Sequence, residues 1–160
     1  MYYSGQFINL FEIQEQSWRE QLQKEAERNV LPFTKKDGSE IPGYISIVNL
    51  LYNFVEFFEF AARLCSKNLY KEEFQISVEL FKIKNFALIA EYPKFWHGYY
   101  PATSDSILKS WKVSPERILT ESSELALEGS VYFFSRFGWD NPPLDILKQD
   151  QEKFLSSRTY

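Results

Sequence analysis

The chain has 160 residues, a formal net charge of -4, one cysteine and one histidine. That length suits a single domain, and the lone Cys65 and lone His97 exclude an internal disulfide framework, a cysteine-rich zinc site and a multi-histidine metal centre. With 44% hydrophobic and 18% aromatic residues on a net acidic chain, disorder and a globally basic nucleic-acid-binding surface are excluded as well.

The first residues, Met1 to Phe7, show no basic region, no long apolar run and no small-residue cleavage site, so no signal peptide is expected and the expected location is the cytoplasm. Gln6 to Ile13 reads as a strand. Trp18, Leu22 and Ala26 recur every fourth residue among charged neighbours, which predicts an amphipathic helix over about 15–29. Pro32 ends it, and Lys35-Lys36-Asp37-Gly38-Ser39 with Pro42-Gly43 predicts an exposed loop over 32–43 within one domain spanning 1–160.

The segment from about Ile45 to Lys67 predicts the main helix, with Ser46 as its N-cap. Its apolar set is wide, which implies burial on more than one side. Asn49, Asn53, Glu56, Glu59 and Arg63 interrupt it, and charges at that depth are costly in lipid, so no membrane span is expected. Cys65, near its end, reads as a buried free thiol.

The period then changes to two. Phe74, Ile76, Val78 and Leu80 alternate with polar residues and predict a half-buried strand, with a bulge near Leu80-Phe81 where the phase slips. Lys84-Asn85 reads as a hairpin turn and Phe86 to Tyr92 as the returning strand. Pro93 and Pro101 bracket an aromatic loop. Ser106 to Val113 reads as a further strand. Ser122-Ser123-Glu124 predicts a helix start, Gly138 its stop, and Asn141-Pro142-Pro143 the start of a last helix with Leu144, Leu147, Phe154 and Leu155 as its apolar stripe. Segregated helices and mostly antiparallel strands predict an α+β fold, a small sheet packed against a long buried helix and C-terminal helices. No glycine-rich phosphate loop follows a strand, so a nucleotide fold of that kind has no support.

Two polar constellations stand out. Tyr52, Glu56, Glu59 and Arg63 follow spacings of three and four and share one line down the main helix. Two carboxylates on one line suit a divalent cation or acid–base work, but no histidine stands at metal-site spacing and Arg63 lies one turn from Glu59. An ordinary Glu59–Arg63 ion pair is the simpler expectation, with no metal site. The second constellation is the loop Phe95, Trp96, His97, Tyr99 and Tyr100, whose rings could stack a nucleobase or a partner's side chain, with packing over a sheet face the simpler expectation. His97 has no motif that supplies a nucleophile, so no catalytic residue is assigned. Basic residues are scattered. Direct nucleic-acid contact is thus unsupported by charge, and no cofactor is expected.

Three segments together resemble a known region. Glu56-Phe57-Phe58-Glu59-Phe60-Ala61-Ala62-Arg63-Leu64, then Phe137-Gly138-Trp139-Asp140 with Pro142, Ile146-Leu147 and Gln151, and the start Gln6 to Leu10 with Trp18-Arg19 are similar to a region of bacterial proteins. Those proteins carry an AlbA-type, Schlafen-like domain predicted to bind DNA, and the similar region lies outside that domain, toward the C-terminus. The resemblance implies an accessory module of a nucleic-acid or defence-related protein. The DNA-binding domain itself has no counterpart here, so its activity does not carry over.

The function expected is therefore a non-enzymatic interaction, sensor or regulatory module that binds a protein partner or itself. The alternatives are a small-ligand or nucleotide-binding domain that uses residues 95–100, and, more weakly, a metal-dependent nuclease-like enzyme built on Glu56 and Glu59.

Overall fold

Ser46 fixes the start of the central helix. Its hydroxyl accepts from the backbone N–H of Asn49 at 2.9 Å, satisfying one of the free donors that every helix N-terminus exposes. The computed structural model describes residues 41–89 and 100–157. The expected strand at 6–13, the helix at 15–29, residues 32–40 of the loop, residues 90–92 of the returning strand, and Phe95, Trp96, His97 and Tyr99 lie outside the described residues. Within them the order is β1 (Tyr44–Ser46), α1 (Ile47–Ser66), β2 (Phe74–Phe81), β3 (Ala87–Ile89), β4 (Ser106–Val113), α2 (Pro115–Arg136) and α3 (Leu144–Ser157). The fold is α+β, as the segregated periods predict. No described helix is long and apolar enough to cross a membrane.

α1 is the core element. Leu51, Phe54, Val55 and Phe58 are buried along one face, and α2 packs against it. Trp111 of β4 meets Phe54 and Phe58 edge-on, with ring centroids 6.2 and 5.4 Å apart, so the inner face of the sheet closes on the same side chains. Gly129 of α2 lets these layers approach. A Cβ there would stand 2.7 and 2.8 Å from two ring carbons of Phe54 and 3.3 Å from Trp111.

The strands differ from the simple hairpin that Lys84-Asn85 suggests. β2 pairs antiparallel with β4 from Phe74↔Val113 to Phe81↔Ser106, without a break at Leu80-Phe81. Lys82 and Asn85 then take positive φ values of 57° and 70°. They bend the chain without reversing it. The N–H of Ile83 donates to Asp105, that of Asn85 to Ala102, and that of Leu88 to Tyr100, so the same two arms continue antiparallel through an Ala87↔Pro101 bridge. Between Phe81↔Ser106 and Ala87↔Pro101 one arm advances six residues and the other five. The extra residue inferred from the phase slip is real but falls after β2, at the bend. β3 takes β1 as its other neighbour, in parallel, with Ile45↔Leu88 at the centre. Ile45 thus belongs to a strand and not to the helix.

α2 begins earlier than Ser122. Ser114 is its N-cap, accepting from the Arg117 N–H, and Pro115 opens the helix, where its missing N–H costs nothing. Beside it, the Glu116 carboxyl is held below the usual range by its own backbone N–H and by the Ser114 hydroxyl. Glu121 leaves helical geometry (φ -126°, ψ 21°), so α2 is two helical segments joined at a kink, and Ser122 opens the second. Its end is a Schellman motif. Gly138 takes φ 85° and donates to Ser135, Trp139 donates to Phe134, and the two rings of Phe134 and Trp139 meet at 5.4 Å. Trp139 is buried, as its place after a helix stop predicts. Pro143 then accepts from Ile146 and Leu147 and starts α3.

Candidate functional site

The polar line on α1 forms one wall of a groove. Val55, Glu56, Glu59, Phe60 and Arg63 from α1 face Phe154 and Leu155 from α3 around a volume of about 420 Å³. α3 is seated there by Tyr52, whose ring stacks on Phe154 at 4.1 Å and 14°. The helical spacing that aligned Tyr52, Glu56, Glu59 and Arg63 therefore brings all of them to one side. Tyr52 anchors the neighbouring helix, and the other three border the groove.

Glu59 is placed by a partner far away in sequence. The Ser122 hydroxyl donates to its Oε1 at 2.5 Å, a short charge-assisted bond across the α1–α2 contact. Among the described residues no ion pair joins Glu59 to Arg63. The i,i+4 geometry permits that pair, but Glu59 is half-buried against α2 while Arg63 stands exposed in the last turn of α1. There its charge complements the negative end of the helix.

Two neighbouring helices bond to α2 just after the kink at Glu121. α1 supplies Glu59 to the Ser122 side chain, and α3 supplies Gln151, whose amide donates to the Ser123 carbonyl at 2.8 Å. Gln151 is buried, and this bond gives its amide a partner.

No protein-family model, curated protein or solved structure matches the chain.

Among the described residues the second constellation is represented by Tyr100 alone. Its ring stacks on Trp139 at 5.6 Å and 25°, and its carbonyl accepts from Leu88, so it serves the packing of the bent hairpin against the end of α2. Cys65 is buried. Burial pushes its thiol up, and the Glu116 carboxylate adds to the effect, which is the opposite of what a nucleophile needs. Among the described residues, no three His, Cys, Asp or Glu side chains gather as a metal would require.

Sequence reasoning found one wall of the groove and missed the other. Phe154 and Leu155 read as core stripe, and Ser122 read only as a helix start. The Ser114-Pro115-Glu116 run was the available signal that α2 begins at Pro115 and that Ser122 lies inside it.

Proposed function

We propose that the chain is a non-enzymatic interaction module and that the α1–α3 groove is its partner-facing surface. The supporting observation is the composition of that groove. Phe60, 41% exposed, and Leu155 offer apolar contact, while Glu56 and Arg63 stand beside them as a charged rim. An apolar centre with a charged edge is the arrangement by which protein partners are selected. Glu59 is committed to Ser122, which leaves the groove poorly arranged for two carboxylates to share one cation.

The resemblance of residues 56–64 and 137–151 to an accessory region is the ground for proposing further that the module works alongside a nucleic-acid-binding or defence protein. Both motifs have a packing reason here. Phe58 fills the core, Gly138 and Trp139 close α2, and Gln151 ties α3 to α2.

The test has two arms. A thermal-shift screen against magnesium, manganese, nucleotides and single-stranded nucleic acids is expected to show no stabilisation, and nuclease assays no metal-dependent cleavage. Affinity capture with the parent chain and with Phe60→Asp is expected to lose the same bound protein in the variant while its circular dichroism is unchanged. Metal-dependent cleavage that disappears in a Glu56→Gln, Glu59→Gln double variant with an intact fold would overturn the reading. Reproducible stabilisation by a nucleotide would replace it with a ligand-binding one, for which a groove of this volume is adequate.

A further inference from the structure

The two strands of the antiparallel pair are covered unequally. On the inner face of β4, Ile107, Trp111 and Val113 are buried. On the inner face of β2, Phe74, Ile76 and Val78 are only half-buried, and Leu80 alone is buried. Among the described residues β2 pairs only with β4, so on its other edge no described strand takes up its main-chain groups. An eight-residue edge strand with apolar side chains left half-open invites another strand.

We infer that β2 pairs antiparallel with β2 of a second copy of this chain, joining two sheets into one of four strands. This names a partner at a surface separate from the α1–α3 groove, and it stands without that reading. The self-pairing is possible because the strand is compatible with a two-fold axis at Ser77. In that register Ser77 faces Ser77, Ile76 faces Val78, Phe74 faces Leu80 and Gln75 faces Glu79 of the other copy. Residues directly opposite share a face in antiparallel pairing, so every inner apolar residue meets an inner apolar residue and no like charges oppose each other. Ser77 already shares a hydrogen bond with Ser110 of β4 at 2.8 Å, so the outer face would carry a row of four hydroxyls across the joined sheet.

The charges beyond the strand agree with this register. Continued past its ends, it brings Glu72 and Glu73 of each copy toward Lys82 of the other, twice by symmetry. The edge of β4 offers less, because its inner apolar residues are already covered. The contact is narrow compared with the ~1,200–2,000 Å² of a stable interface, so the dimer is expected to be concentration-dependent.

The experiment uses the full chain. Its mass by sedimentation is expected to rise from one copy to two with concentration. Val78→Lys, which puts a charge on the inner edge, is expected to remain monomeric with an unchanged circular dichroism spectrum. In a Cys65→Ala background, Ser77→Cys oxidised with glutathione disulfide is expected to form a covalent dimer, and Ser110→Cys, three strand spacings from its mate, is not. A chain that stays monomeric at every concentration overturns the inference, whatever else occupies the edge. So does preferential crosslinking through Ser110→Cys, which would place the axis on β4. If Val78→Lys fails to fold, the crosslinking pair decides alone.

Discussion

Gly129→Ala separates two effects of opposite sign. In an exposed helix the change stabilises by about 0.5–1 kcal/mol, since glycine is the worse helix former. Here the added Cβ would sit 2.7 and 2.8 Å from ring carbons of Phe54, well inside contact distance. Phe54 is fully buried, and its ring is flanked by Phe133 at 5.0 Å and Trp111 at 6.2 Å, so it has nowhere to yield. Overpacking of this kind costs about 1–3 kcal/mol, and two close contacts against a confined ring place it in the upper part of that range. The net loss is then about 1–2 kcal/mol, or roughly 2–8 °C in Tm for a chain of this size. Calorimetry of the variant measures it. A second measurement isolates the cause: Phe54→Leu makes room, so Gly129→Ala should cost less in that background than alone. A neutral or stabilising Gly129→Ala would show that helix propensity wins and that α1 and α2 do not approach this closely.

Phe58→Ala removes a fully buried ring and is expected to cost about 3–5 kcal/mol; a variant melting within about 2 °C of the parent would contradict its central position. Ser122→Ala takes a hydrogen bond from the Glu59 carboxylate, and partial exposure puts the loss near the lower end of the about 1.5–3 kcal/mol seen for bonds to charged groups; an unchanged urea midpoint would refute the contact. Cys65 is expected to react slowly with a disulfide reagent in the folded chain and quickly once unfolded. Because the folded thiol holds its proton more tightly than the unfolded one, its contribution to stability is intact below the ordinary value of 9.0 and is lost as pH rises through the raised folded value. Cys65→Ala should flatten that alkaline slope, and a slope that persists unchanged would assign it to other groups.

Local signals were the legible ones. The Ser46 cap, the width of the α1 apolar face and the Gly138-Trp139 ending all act within a turn of helix, where the sequence carries the relevant chemistry. Pairing was not legible. Lys84-Asn85 has the residue types of a reversal, and only the hydrogen bonds from Ile83 and Asn85 to the opposite arm reveal a bend. The parallel match of Tyr44–Ser46 with Ala87–Ile89 joins segments that no short motif links, so Ile45 passed for helix. The candidate site divides the same way. Helical spacing aligned Glu56, Glu59 and Arg63, but the partner of Glu59 lies 63 residues away, at a kink that sequence periodicity does not register. The role of Gly129 is not legible either, because a glycine in a helix carries no mark of what it faces.

The single residue between β4 and α2 determines where this chain could accept foreign sequence. Val113 ends the strand, Pro115 begins the helix, and Ser114 between them is already the cap. An extra residue there would rotate α2 about its own axis relative to the sheet, or displace the cap, and either would misdirect Phe133 and Gly129 from Phe54. Between α1 and β2 the chain has slack instead: Lys67, Leu69, Lys71, Glu72 and Glu73 are exposed, and Asn68 already turns the backbone at φ 58°. A peptide tag or fluorophore-bearing loop is therefore best grafted after Leu69, whereas at Ser114 it would sever the mechanical link between sheet and helix.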